Sequence, residues 1–356
     1  MTLEHLGFRE ELNTYRLEQQ LDTFAVGRVI SAHKDRYVVR NEEGEYDTEL
    51  IGNLRFTAES RADFPAVGDW VAISEYDTGK ALIHAIYPRH SMITRQAVGR
   101  STEVQIIATN IDYGLVVQAV DRDFNLNRLE RYLTICHAAK VTPIILLSKT
   151  DLVDGTELQS MMAQIKERVG EEILVICVSN QKDDGYNTLQ HHIEKGKTYC
   201  LLGSSGVGKS TLLNHLSGKE QMETGAISDS VNKGKHTTSH RELVVLDNGG
   251  ILIDNPGMRE VGIADTSGGL EMTFEDITEL ALECRFKDCT HINELGCAVL
   301  AAVDSGELDK SVFNNYHKML REKMHFESSV EEKRKKDKNF GKMIKEVKSA
   351  RKKNKY

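Results

Sequence analysis

The segment TYCLLGSSGVGKSTLLNHLSG, from Thr198 to Gly218, constrains this chain more than any other. A short apolar run ends in GxxxxGK[ST], and a helix-forming run follows at once. That is the order strand, phosphate-binding loop, helix. Gly203, Gly206 and Gly208 let the backbone curl until several N–H groups point inward at an anion. Lys209 is placed to reach the β and γ phosphates of a nucleoside triphosphate, and Ser210 to put its hydroxyl on Mg²⁺. The helix that starts there adds its positive N-terminal end. The candidate phosphate-binding set is Gly203, Ser204, Ser205, Gly206, Val207, Gly208, Lys209, Ser210 and Thr211.

A loop of this kind needs a parallel sheet behind it, and the flanking sequence supplies one. YGLVVQAV is a continuous apolar run, as in a strand buried on both faces. LNRLERYLTICHAA has helical spacing, VTPIILLSKTDL is a strand with a polar end, and EEILVICVSN is a further strand. RELVVLDNGGILIDNPG reads as a hairpin turning at Asn248, Gly249 and Gly250. Strands alternating with helices of this length predict a mostly parallel sheet covered on both faces.

Two strand ends before the phosphate loop carry a candidate base site. In SKTD, Asp151 can accept both the N1–H and the exocyclic N2–H of guanine, while Lys149 lays its aliphatic stem along the base. Thr150 lies between them, and Ser179 and Asn180 at the next strand end offer a backbone N–H to guanine O6. The first residue of the motif is Ser148 where Asn is usual. Serine is shorter, which puts its tie to the phosphate loop or the base at risk. After the phosphate loop, Asp254 ends an apolar strand where a Mg²⁺ ligand belongs, and Gly257 three residues on can sense a γ-phosphate. Thr237 and Thr238 in KGKHTTSH are both candidates for a Mg²⁺ ligand. Met258 stands where many GTPases have a water-orienting glutamine, which leaves His236 as the nearest candidate for the catalytic role.

The chain has 356 residues, too many for one ordinary core. Before the α/β region, five short runs rich in β-branched and aromatic residues, FAVGRVISAH, RYVVRN, YDTELIGNLRF, GDWVAISEY and KALIHAIYPR, predict a small barrel of the OB type, with an SH3-like barrel as the competing reading. After it, CRFKDCTHINELGC places Cys284, Cys289, His291 and Cys297 in a C-x4-C-x-H-x5-C spacing. Three thiolates and one imidazole make a closed tetrahedral set for one structural Zn²⁺. Cys136, Cys177 and Cys200 fall in apolar patterns and are expected in the core.

Charge and targeting signals bound the rest. Residues 331–356 carry 12 Lys/Arg against 4 Asp/Glu, a balance of +8, so the first 330 residues hold −16 of the net −8. A basic tail on an acidic body meets a polyanion or is simply solvated. No run of eighteen apolar residues exists, so no membrane contact is expected. The polar start MTLEHLGFREELNTYRLEQQ lacks the features of a signal peptide, and the expected compartment is the cytoplasm.

The motifs come in the order SKTD, VSN, GSSGVGKS, HTT, DNPG, with a barrel before and a cysteine cluster after. This order, together with VGDWV, GKHTT, DNPGMRE, FEDI, CRFKDCTH and GCAV, resembles the circularly permuted ribosome small subunit-dependent GTPases of the RsgA (YjeQ) family. The resemblance covers roughly residues 24–325. With it the chain is read as multidomain, with an OB-like β-barrel over 24–98, a circularly permuted α/β P-loop GTPase domain over 99–268 and a helical zinc-binding domain over 269–330; the helical leader over 1–23 and the basic tail over 331–356 are read from the residues and take no role from the resemblance. It implies GTP hydrolysis to GDP, stimulated by the small ribosomal subunit late in its maturation, with ribosomal RNA contacted by the barrel and the zinc domain. It implies His236 as the catalytic residue, and a monomer is expected. The chain departs from the family pattern at Ser148 and at Asn255, where threonine is common. Two other readings remain: a P-loop ATPase or kinase acting on a small molecule, and an RNA-binding scaffold with a structural nucleotide site.

Overall fold

The computed structural model describes residues 1–33, 36–96, 104–179, 185–218, 242–254 and 268–328. Five strands form the N-terminal barrel: β1 (Ala25–His33), β2 (Arg36–Arg40), β3 (Glu45–Leu50), β4 (Trp70–Asp77) and β5 (Lys80–Ile86). The order β1-β2-β3-β5-β4 closes by pairing β4 with β1, and only β3 and β5 run parallel. Alternation drives it. Tyr37, Val39, Tyr46, Val71, Ile73, Ala81 and Ile83 point inward, while Glu45 and Asp47 face solvent. The third predicted strand is shorter than its sequence run. LIGNLRF leaves the strand after Leu50, and Gly52–Thr57 is a helix, α2. A strand would set Leu54 and Phe56 on one face. The helix packs Leu54 on the barrel core and leaves Phe56 94% exposed.

The leader docks on the barrel. Its one α-helix, α1 (Glu10–Glu18), is preceded by a 3-10 turn at Glu4–Leu6. Leu6 is fully buried, Phe8 meets Trp70 edge-on at 4.9 Å between centroids, and Tyr15 packs on Tyr87.

A two-stranded ribbon, β6 (Met92–Gln96) and β7 (Val104–Thr109), leads into the central sheet. That sheet comprises β8 (Tyr113–Ala119), β9 (Thr142–Ser148), β10 (Val175–Cys177), β11 (Thr198–Leu202), β12 (Glu242–Val245) and β13 (Ile251–Asp254). Its order is β10-β9-β8-β11-β13-β12, parallel except for β12. The helices α3 (Leu126–Ala138), α4 (Gly155–Val169), α5 (Tyr186–His191) and α6 (Lys209–Ser217) cover it, with a separate apolar core on each face. β12 also pairs with β1 of the barrel through Ser31 and Glu242, so eleven strands run as one sheet.

Arg28 on β1 locks the barrel to the sheet. It is 1% exposed, and Nε donates to the Gly68 carbonyl at 3.2 Å. Nη1 donates to the Leu6 carbonyl, and Nη2 to the Asn110 carbonyl at 3.1 Å and to Thr198 Oγ1 at 3.0 Å. One guanidinium thus ties the leader, the barrel, the connection and the first residue of β11, the strand that feeds the phosphate loop. Burial pushes its pKa down to about 10, so it stays charged at neutral pH.

The C-terminal part contains α7 (Gly269–Thr273), α8 (Glu275–Leu282), α9 (Ala298–Ser305) and a helix α10 over 310–328. It packs on α3. A Cβ on Gly269 would lie 2.4 Å from the Thr134 carbonyl oxygen, so glycine is what lets α7 approach α3 this closely. Arg131 grips Glu322 of α10 with both Nη atoms, at 2.6 and 2.9 Å. Glu130 is held by Arg168 of α4 and Asn315 of α10, and His137 Nδ1 lies 3.0 Å from Thr273 Oγ1.

Candidate active site and metal centre

The phosphate loop leaves β11 at the end of a wholly buried strand. Gly203 has φ +147° and abuts β8, where a Cβ would meet the Val117 carbonyl oxygen at 2.5 Å. Gly206 and Gly208 have φ +84° and +98°, the left-handed region that curls the chain back over its own N–H groups. Lys209 opens α6. Its Nζ donates to the carbonyls of Gly203 at 2.8 Å and Ser204 at 2.5 Å, across the mouth of the loop. Burial pushes Lys209 down to about 8, partly offset by the nearby carboxylate of Asp254, which ends β13 and is itself buried. Ser210 and Thr211 follow in the first turn of α6, and Ser205 and Gly206 lie exposed at the loop tip.

The base motif sits at the end of β9, beside this loop. Ser148 is buried, and its Oγ donates to the Val207 carbonyl at 2.6 Å. The tie to the phosphate loop that the shorter side chain put at risk is therefore present. The serine is close enough because β9 and the loop are both packed against β8. Lys149 takes φ +60°, and its Nζ pairs with Asp121 Oδ2 at 2.8 Å, which holds the stem in place. Asp151 Oδ1 accepts a bond from Ser179 Oγ at 2.6 Å, and the Thr150 N–H faces the Val178 carbonyl at 3.4 Å. Ser148, Lys149, Thr150, Asp151 and Ser179 thus share one edge of the sheet with the phosphate loop. Asn180, His236, Thr237, Thr238 and Gly257 lie outside the described residues.

Sequence reasoning missed two residues here. Asp121, just past β8, is the partner of Lys149. Arg128 Nη1 donates to Ser204 Oγ at 2.8 Å, and Tyr132, one turn further along α3, is buried. Only the i, i+4 spacing of Arg128 and Tyr132 on α3 could have set them on one face in advance.

Cys284, Cys289, His291 and Cys297 converge between α8 and α9, with all four ligand atoms within 4.8 Å of one another. Cys284 Sγ is 3.8 Å from Cys297 Sγ and 3.6 Å from His291 Nδ1, and His291 Nδ1 is 3.3 Å from Cys297 Sγ. A tetrahedral ion with Zn–S of about 2.3 Å and Zn–N of about 2.05 Å needs S···S near ~3.8 Å and S···N near ~3.6 Å. The cluster fits that ion. His291 takes φ +56°, a left-handed conformation that turns the loop so the imidazole meets the thiols.

A family model described as RsgA GTPase matches residues 86–264. A relative from Bacteroides thetaiotaomicron, small ribosomal subunit biogenesis GTPase RsgA 1, is 41% identical over 96% of this chain and 95% of its own length. The chain belongs to the RsgA GTPase family. A second relative, from Lactiplantibacillus plantarum, is 43% identical over 83% of each chain and bears the name small ribosomal subunit biogenesis GTPase RsgA 2. The crystal structure of YjeQ from Thermotoga maritima is similar at a TM-score of 0.61 and 26% identity, covering 83% of this chain and 97% of that one. YloQ, a circularly permuted GTPase, is similar at 0.60 and 25%, covering 84% and 94%. An ABC transporter model also matches residues 186–353. The phosphate loop lies inside that range, and the SKTD segment lies outside it. As a member of the RsgA GTPase family the chain is a GTP hydrolase with a permuted domain. In this chain the base-motif strands β9 and β10 precede the phosphate-loop strand β11, and the sheet brings their C-terminal ends to one edge with only β8 between β9 and β11.

Proposed function

We propose that this protein is a GTPase of small ribosomal subunit biogenesis, acting late in maturation and stimulated by the subunit itself. The observation that carries the reading is similarity along the whole chain, barrel and cysteine cluster included, to relatives bearing that name. The reading assigns GTP to the edge formed by Ser148 to Asp151, Ser179, Asn180, the phosphate loop and Gly257. Asp151, held by Ser179, selects guanine over adenine. Lys209 turns its ammonium from its two backbone carbonyls to the incoming phosphates, whose negative charge offsets the cost of its burial. Ser210 and Asp254, with Thr237 or Thr238, hold Mg²⁺, which neutralises phosphate charge, and His236 orients the attacking water. Cys284, Cys289, His291 and Cys297 hold one structural Zn²⁺, which shapes the C-terminal part for ribosomal RNA; the barrel contributes the second contact. The protein works as a cytoplasmic monomer away from membranes. Among the described residues no helix is long and apolar enough to cross one.

The test is GTP hydrolysis by the full chain with and without purified small subunits. Turnover is expected to rise by orders of magnitude. Unchanged turnover overturns the reading and leaves an RNA-binding scaffold in its place, while preferential binding of ATP in a labelled-nucleotide titration points to a small-molecule kinase or ATPase.

A further inference from the structure

Helix α3 touches the candidate nucleotide site at one end and the metal-cluster domain along its length. At its first turn Arg128 Nη1 donates to Ser204 Oγ at 2.8 Å. One turn later Tyr132 is 3% exposed and packs into the core of the sheet. The Ser204 carbonyl meanwhile accepts from Lys209 at 2.5 Å. Ser204 is therefore held by α3 through its side chain and by the phosphate-binding lysine through its backbone. Phosphates that draw the Lys209 ammonium toward themselves release the Ser204 carbonyl and leave α3 as its remaining hold.

The same helix carries the other domain. Glu130 bonds Asn315, Arg131 bonds Glu322, and His137 meets Thr273, while the backbone at Thr134 abuts Gly269. Arg128, which faces the phosphate loop, and the residues facing α7 and α10 lie within three turns. A helix this densely bonded on both sides shifts as a unit, because packed elements exchange between discrete arrangements and do not deform continuously. Arg128 is the adaptable member of the set. It is partly solvent-exposed, and Asp123 Oδ1 lies 3.6 Å away as an alternative partner.

We propose that Arg128 is a positioning residue that couples the nucleotide state of the phosphate loop to the docking of the metal-cluster domain on α3. The proposal rests on GTP being the bound nucleotide and makes no use of the ribosomal partner.

The experiment uses the full chain and its variants Arg128→Ala, Arg128→Lys, Ser204→Ala and the double variant Arg128→Ala/Ser204→Ala. Affinities for fluorescent GDP and a non-hydrolysable GTP analogue are measured by titration. Amide hydrogen exchange is followed over 269–282 and 310–328 in both nucleotide states. In the parent chain, exchange over 310–328 is expected to differ between the two states. Arg128→Ala is expected to erase that difference and to change the ratio of GTP-analogue to GDP affinity by at least threefold. Arg128→Lys, which keeps charge but loses the planar fork, is expected to restore part of both. The double variant is expected to match the worse single variant, because both changes break one bond. Exchange that is the same in both states of the parent chain, or an unchanged ratio and exchange difference in Arg128→Ala, overturns the proposal. A lowered melting temperature with the nucleotide-dependent difference intact assigns Arg128 a purely structural role and overturns it equally. No ribosomal subunit enters the assay, so failure here is separate from failure of the biogenesis reading.

Discussion

Ser148 shows how one atom changes the value of a motif. Its hydroxyl meets the Val207 carbonyl at 2.6 Å inside a buried site, so the base motif and the phosphate loop are physically joined. Ser148→Ala leaves that carbonyl without its side-chain donor. A loss of about 1–2 kcal/mol in stability is expected, with weaker GTP binding, read by denaturant unfolding and nucleotide titration. Equal stability and affinity in the variant would remove this tie from the account. Lys209 makes a prediction in pH. Its pKa falls from 10.5 to about 8 in the nucleotide-free fold, so the charged form is disfavoured there. Between those values the unfolded chain holds a proton that the folded chain lacks, and the contribution of this group to stability rises with pH through that window. Below about 8 the full cost stands, on the order of 3 kcal/mol at most. Lys209→Met is expected to melt higher than the parent at pH 7 without nucleotide, with the gap shrinking by pH 9.5, while nucleotide binding is lost. A gap that ignores pH would trace the effect to packing.

At the scale of elements, α3 is the piece that several parts of the molecule share. Gly269 lets α7 reach it. Gly269→Ala sets a methyl 2.4 Å from the Thr134 carbonyl and 2.6 Å from the Ala138 nitrogen, both backbone atoms of α3 that have little room to give. The variant is expected to lose roughly 1–3 kcal/mol and to raise hydrogen exchange over 269–282, with the melting of the barrel unaffected. Rapid exchange confined to the barrel would refute the placement. The β-elements show the limit of reading runs of residues: LIGNLRF has strand composition, yet its spacing of one apolar residue inward and one outward fits a helix against the barrel. Side-chain alternation is legible locally. Which face finds a partner depends on residues far away in the chain.

For the whole molecule, the cysteine cluster is the natural point to break. Cys284→Ser removes a ligand from a set whose spacing matches a tetrahedral ion. About one equivalent of zinc is expected to be lost, with cooperative loss of structure over 269–328, read by metal analysis and circular dichroism. Full metal retention would require a different ligand set. The cluster packs into the C-terminal core through Cys297 beside Phe274, Val299 and Met319, so ion and core hold one another.

Local chemistry was legible from the residues alone. The phosphate loop, SKTD and C-x4-C-x-H-x5-C are short segments in which each residue type answers to a neighbour a few positions away. Their placement on a strand end or a knuckle follows from backbone propensity. Barrel alternation and the parallel strands were legible for the same reason. How those pieces meet is set by long-range packing. The single register pair Ser31–Glu242 that fuses barrel and sheet, the four-way hold of Arg28, the partners Asp121 and Arg128, and the bond from Ser148 to Val207 join residues from 22 to 211 positions apart. No local pattern encodes such pairs, because each bond exists only once packing has removed water from both partners and fixed the distance between them.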